Sequence, residues 1–207
     1  MGATFDRIIG LPPENSDNAG RRDRLLEFAL QRMYTTADVT LLDVGSGLGV
    51  FPYVMRLAGW NCTALDPDPL ACEHIAAKAG VATVVADFLN VDPVSLGAFD
   101  VVSLNKVIEH VENPCEMLRK AACVTSPRGF VYVEVPDGEM AAVEGPGREE
   151  FFIEHHHVFS VPSLALTLER SGLTPITIER LKEPSGKYTL VAVATPQSIS
   201  FRGEESL

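Results

Sequence analysis

Apolar positions recur along this chain in two alternating rhythms. From Asn18 to Tyr34, Leu26, Leu30 and Met33 fall at helical spacing with arginines on the other side, which predicts an amphipathic helix. Val39–Val44 is a short apolar run and reads as a buried strand. Gly49–Ala58 then reads as a helix, with Pro52 tolerated in its first turn and Gly59 at its end. The pattern repeats with a strand over Asn61–Leu65, a helix over Pro69–Ala79 stopped by Gly80, and a third strand over Val81–Ala86. Phe99–Leu104 is the fourth strand. Asn113-Pro114-Cys115-Glu116 has the residue types of a helix start: Asn as cap, proline first, Glu reaching back. That helix runs to Val124 and leads into a fifth strand, Phe130–Val135.

The flanks are less regular. Residues 1–17 hold Pro12-Pro13 among turn formers and read as an irregular segment. Pro136–Phe159 is again irregular, so residues 136–160 are read as an insertion on the substrate side of the sheet. Val161–Arg170 is a helix with Leu164, Ala165 and Leu168 on one face, ended by Gly172. Pro175–Leu181 and Tyr188–Thr195 read as two strands whose short linker, Glu183-Pro184-Ser185-Gly186, implies a hairpin. The polar residues 196–207 are expected to be a disordered tail. Strands alternating with helices imply an α/β fold with a mostly parallel sheet wrapped on both faces, closed by an antiparallel hairpin at its edge. The 207 residues suit a single domain.

Charge and cysteine content narrow the function. Seventeen basic against 28 acidic side chains give a net charge of −11, which ranks nucleic acid low as a partner because phosphate binding needs clustered Lys and Arg. Cys62, Cys72, Cys115 and Cys123 form no C-x2-C pair, so a zinc ribbon is not indicated and a reduced, cytoplasmic protein is expected. The N-terminus lacks a long apolar stretch, and no apolar run reaches membrane-spanning length.

The strongest chemical signal is Leu41-Leu42-Asp43-Val44-Gly45-Ser46-Gly47-Leu48-Gly49. Gly45 and Gly47 let backbone approach a ligand, and the following helix start offers free N–H groups to a carboxylate or a phosphate. A plain tight turn is the bland alternative. The dinucleotide fingerprint G-x-G-x-x-G fits less well, since its third glycine would fall at Val50 and here comes one residue early, at Gly49. Asp66, closing the second strand in Ala64-Leu65-Asp66-Pro67, suits two ribose hydroxyls. Asp87-Phe88, closing the third, suits an adenine amino group and ring face, or else is a loop acid beside a core aromatic. The three acids fall at the carboxyl ends of three successive strands, where open α/β sheets bind ligands.

Taken together, these motifs resemble those of the class I S-adenosylmethionine-dependent methyltransferases. Asp43–Gly49, including Ser46, is similar to the family's first motif, Asp66 with Pro67 to its ribose-binding position, and Asp87-Phe88 to its adenine contact. Phe99–Val111 resembles the fourth-strand motif and Gly129–Pro136 the fifth strand. The resemblance implies a three-layer Rossmann-like fold with a seven-stranded sheet, S-adenosylmethionine as cofactor, and Asn105 near the cofactor's methionine end.

Methyl transfer from a sulfonium mainly requires an acceptor atom held in line behind the methyl group, with a base where the acceptor is a hydroxyl. His and carboxylate candidates cluster at Glu109-His110 and at Glu154-His155-His156-His157. For His110 the competing reading is a histidine that orders its loop. For the second cluster, packing, a metal site and a general base compete. Three adjacent histidines are a poor chelating arrangement, so no metal is expected. If this stretch is extended, His155 and His157 share one face and His156 the other. Phe151–Ser160 resembles the Glu-His segment before Phe-Ser in sugar-modifying methyltransferases, where the histidine after Glu is the base. That resemblance points to His155, with Glu154 beside it. The sugar C-methyltransferases also carry an N-terminal zinc-binding portion and a further C-terminal domain, neither of which these 207 residues resemble; the subgroup acting on small metabolites or glycans is therefore the expected one. The expected function is methylation of a small molecule, on a hydroxyl of a sugar, glycan precursor or other metabolite. The rivals are a nicotinamide oxidoreductase using the same loop and a non-catalytic cofactor-binding partner subunit.

Overall fold

The computed structural model describes residues 1–145, 147–148, 151 and 154–197. The expected disordered tail therefore lies almost wholly outside the described residues. Strands β1 (Thr40–Val44), β2 (Asn61–Asp66), β3 (Ala82–Val85), β4 (Phe99–Asn105), β5 (Thr125–Pro136), β6 (Leu173–Lys182) and β7 (Tyr188–Pro196) form one sheet in the order β3-β2-β1-β4-β5-β7-β6. β1 to β5 pair in parallel, and β7 runs antiparallel to both β5 and β6.

The hairpin is as expected, but its order in the sheet is not the obvious one. The later strand, β7, lies inside, and β6 is the edge. Composition explains this. Leu190-Val191-Ala192-Val193-Ala194 is apolar at every position and buried on both faces. β6 is half-buried or exposed at every position after Leu173 and carries Pro175, which an edge tolerates.

Two helical layers cover the sheet. Alternate strand residues such as Leu42, Val44, Val102, Leu104, Val131 and Val133 pack with Leu118 and Ala121 of α6 (Pro114–Cys123) and with Leu164 and Leu168 of α8 (Val161–Arg170). On the other face, Leu41, Ala64, Val101 and Phe130 meet Leu25 and Ala29 of α2 (Asp17–Met33). Met55 of α3 (Val50–Leu57) and Ile75 of α4 (Pro69–Ala79) complete that layer. Burying Leu42 rather than Asp43 on the α6 face is period two at work, and a one-residue slip would invert both layers.

Two irregular segments of the sequence reading are helical. Gly2–Ile9 is α1, followed by a 3-10 turn at Pro13–Asn15. Its anchor is Phe5, 2% exposed, edge-on to Tyr53 at 5.3 Å and to His74 at 5.6 Å. Eight residues are too few for periodicity to register, and tertiary packing supplies the stability that so short a helix lacks. Within the expected insertion, Gly138–Glu144 is a further helix, α7, after a four-residue α5 at Pro93–Leu96. Asp137 caps α7, its carboxylate accepting from the amides of Glu139 and Met140.

Candidate functional site

The α2-facing side of the sheet turns polar at its carboxyl end. Along β1, Leu41 gives way to Asp43; along β4, Val101 gives way to Ser103 and Asn105; along β5, Phe130 gives way to Tyr132 and Glu134. Register brings Asp43 opposite Ser103, and Asn105 opposite Glu134. The Asp43 carboxylate accepts from Ser103 Oγ at 2.7 Å and Asn105 Nδ2 at 3.0 Å. Burial nonetheless pushes its pKa up to about 6, the Ser103, Ser46, Arg21 and Asn105 interactions only partly offsetting it. Asn105 keeps a buried Oδ1 with no hydrogen-bond partner among the described residues.

The glycine loop is stapled to the end of β2. Gly45 N donates to Leu65 O at 2.8 Å, and Gly47 N donates to Asp66 Oδ2 at 2.8 Å. Asp66 also accepts from Asp68 N at 2.9 Å through its other oxygen, which leaves lone pairs on both oxygens for a ligand. The glycines are not equivalent. Gly47 has φ +54°, and a Cβ there would meet nothing within 4 Å, so the position is open to a ligand. Gly49, φ +72°, caps α3; a Cβ there would lie 2.6 Å from Ile75 Cγ1. Its geometry is explained by packing of α3 on α4.

A cleft of about 320 Å³ runs over this end of the sheet. It is lined by Gly45, Asp66, Pro67, Asp87 and Phe88 together with Lys106, Val107 and His110. Asp87 is exposed and orders its own turn, accepting from Leu89 N at 3.0 Å and Asn90 Nδ2 at 2.8 Å. Phe88 is 2% exposed, so it is both core and cleft wall. A larger hollow lies under α1, and its lining includes none of these motifs.

The histidine segment docks on the turn that follows β4. His110 Nδ1 lies 3.1 Å from the Glu154 carbonyl oxygen, and the His157 amide donates to Glu109 O at 3.2 Å. The His110 and His155 rings meet at 4.7 Å. Glu109, His110 and His155 each offer a ligand-type atom, all within 4.8 Å of one another. His155 and His157 are half-buried while His156 is exposed, as an extended backbone would have it. Glu154 is exposed and engages His110 through its backbone, so the structure does not bring its carboxylate into this cluster in the way it brings Glu109.

Glu109 is a residue the sequence reading placed beside His110 without giving it a role. It is fully buried, and both carboxylate oxygens lack hydrogen-bond partners among the described residues. Burial raises its pKa, with Lys106, His110 and His155 pulling the other way. Arg21 and Glu134 were not anticipated at all. Arg21 donates from Nε to Glu134 Oε1 at 2.8 Å and forms a second bond from its terminal nitrogen, while Tyr132 donates to the same carboxylate at 2.6 Å. Burial opposes the Glu134 charge, yet Arg21 holds its pKa down at about 2. Arginines on the polar side of α2 gave no sign of facing inward.

The inserted antiparallel β7 separates this sheet from the all-parallel dinucleotide order, so the nicotinamide alternative loses its structural basis. Comparison with known proteins agrees. A family model described as a methyltransferase domain matches residues 15–178. The ubiquinone biosynthesis O-methyltransferase of Caulobacter vibrioides is 35% identical over 102 residues, covering 46% of this chain and 40% of that protein. The chain thus spans about half the length, or less, of the curated relatives it matches. Among solved structures, the 1,6-didemethyltoxoflavin-N1-methyltransferase of Burkholderia thailandensis superimposes with TM-score 0.64 at 22% identity, over 86% of this chain and 77% of that one. Its structure contains 1,6-didemethyltoxoflavin and S-adenosylhomocysteine. An O-methyltransferase from neocarzinostatin biosynthesis, complexed with S-adenosylmethionine and 2-hydroxy-5-methyl naphthoic acid, gives 0.61 at 18%, over 83% and 54%.

Proposed function

The chain belongs to the methyltransferase-domain family of S-adenosylmethionine-dependent enzymes, and from that premise we propose that it methylates a hydroxyl of a small molecule. The observation that carries this reading is the single cleft lined by Asp66, Asp87 and Phe88 together with His110. It links residues suited to an adenosine to a residue suited to proton transfer.

The residues present fit the cofactor. Gly47 leaves open space, and the unpartnered Asn105 Oδ1 is a buried acceptor for an ammonium. In this reading Asp66 holds ribose hydroxyls, Asp87 and Phe88 with Pro67 flank the adenine, and Asn105, fixed by Asp43, meets the amino-acid end. When bound, S-adenosylmethionine supplies a methyl group activated by a positive sulfur. The chain's own task is to place the acceptor oxygen in line and to take its proton. His110 and His155 receive that proton, and the buried Glu109 carboxylate stabilises the imidazolium that results. No metal enters the proposal. The free thiols of all four cysteines support a cytoplasmic location. Among the described residues no helix is long and apolar enough to cross a membrane.

Release of S-adenosylhomocysteine is the test, measured against sugar nucleotides, hydroxyarenes such as 1,4-dihydroxy-2-naphthoic acid, and amines. Turnover on a hydroxyl is expected. Turnover confined to amines, or to no acceptor at all, would overturn the reading.

A further inference from the structure

Lys106 is a cation of this cleft that the sequence did not single out. It follows Asn105 at the end of β4 with φ +58°, a left-handed conformation that a lysine adopts only when its surroundings hold it there. Its amide donates to Glu134 O at 2.9 Å, which fixes the turn, and its side chain lines the cleft beside His110. Nζ donates to Thr189 Oγ1 at 2.7 Å, and Thr189 is fully buried. An ammonium carries three donors, and this partner is a neutral hydroxyl. Among the described residues no carboxylate lies within 4.0 Å of Nζ.

The acids around it are otherwise engaged. Glu134 on β5 is held by Arg21 and Arg24 of α2, and Glu183 in the β6–β7 turn lies 3.4 Å from Arg24. Glu109 belongs to the histidine cluster. Arg21 adds positive charge from α2. Lys106 is half-buried, and acids act on it only from a distance, so its remaining donors are open to an anion that arrives with a ligand.

We propose that the Lys106 ammonium binds the ionised oxygen of the methyl acceptor, so that the enzyme selects acidic hydroxyls of the phenol type over sugar hydroxyls. The inference rests on the methyltransferase reading and deepens it. The acceptor O–H bond breaks, its proton passes to the His110–His155 pair, and the oxyanion is held by Lys106. The O–C bond then forms as the C–S bond breaks, and sulfur keeps the electron pair. Lys106 ends the step unchanged. The donor's own carboxylate offers the same chemistry, and the affinity for S-adenosylhomocysteine separates the two below. Burial lowers the Lys106 pKa to about 8, opposed by Glu134 and Glu109 and reinforced by Arg21, with Glu183 opposing weakly. Oxyanion binding is therefore strongest below that pH.

The probe is p-nitrophenol, titrated by its visible absorbance with the protein saturated in S-adenosylhomocysteine. Wild type should bind the phenolate and lower its apparent pKa by about one unit, a tenfold preference for the anion. Lys106→Met should abolish that shift, leaving the melting transition cooperative and S-adenosylhomocysteine affinity unchanged. Lys106→Arg should retain the shift and hold it to higher pH than wild type. An equal shift in Lys106→Met, or no binding to wild type, overturns the proposal. So does about a tenfold loss of S-adenosylhomocysteine affinity in Lys106→Met, which would assign the lysine to the donor carboxylate. Turnover of sugar hydroxyls but not phenols sinks the inference and spares methyl transfer. No turnover on any acceptor sinks the functional reading, while the titration still reads Lys106.

Discussion

His155 stands edge-on to His110, with ring centroids 4.7 Å apart and planes at 72°. The two residues come from segments 45 positions apart, joined because the His110 imidazole reaches the Glu154 carbonyl. Their roles divide on this geometry. His155→Ala should lower turnover by about 10²- to 10⁴-fold, the usual worth of a positioned base, with S-adenosylhomocysteine affinity intact. Calorimetry and a single-turnover assay check it. Equal loss of binding and turnover would mean that the ring only props the cleft.

Gly47 and Gly49 should respond differently to the same substitution. Gly49→Ala places a methyl against Ile75 in a left-handed backbone and should cost about 2–4 kcal/mol of stability, with little change in cofactor affinity per folded molecule. Gly47→Ala meets no protein atom and should cost about 1 kcal/mol of stability while weakening S-adenosylhomocysteine binding. Urea unfolding and calorimetry on both variants separate the effects. A Gly49→Ala protein of wild-type stability but poor affinity would return that glycine to the cofactor.

Asp43 makes stability depend on pH in an unusual direction. Its folded pKa of about 6 lies above the ordinary 3.8, so the folded state holds the proton more tightly. Stability is therefore lost as pH rises from about 4 to 6, and the penalty, about 3 kcal/mol, is present in full above that window. Asp43→Asn stays neutral and should gain on wild type by up to that amount across the same range. Paired urea titrations at several pH values measure the difference. A difference that does not vary with pH would show that burial is not what sets this carboxyl.

Phe5→Ala should destabilise the protein by about 3 kcal/mol, since it removes the ring packed on Tyr53 and His74. Amide hydrogen exchange over Gly2–Ile9 should accelerate with it. Unchanged exchange would mean that contacts other than Phe5 hold α1.

Much of this fold could be read from the sequence. The Pro69–Ala79 helix has its predicted limits, and most other core strands and helices lie within a few residues of theirs, because buried runs, caps and glycine stops coincide there; β5 begins five residues before its predicted start, at Thr125. The swapped hairpin was also readable, in the unbroken apolar run of β7, but only by comparing two strands with each other. Asp43, Asp66 and Asp87 stand where strand ends put them. Glu109 and Lys106 were not readable in the same way. Their placement depends on a short 3-10 turn and a left-handed lysine, and on a distant histidine segment folding back, none of which has a local pattern. Arg21 looked like a surface residue until α2 was seen to lie across Glu134.

The position of β7 has a consequence for how the sheet comes into being. It is the last strand in chain order, yet it sits between two strands made before it. Until it arrives, β5 exposes an open ladder beside Val131, Val133 and Val135, and β6 has no neighbour to pair with. A growing chain must therefore guard an apolar, unpaired edge until β7 has been made, and in that interval a second copy's strand is a competing partner.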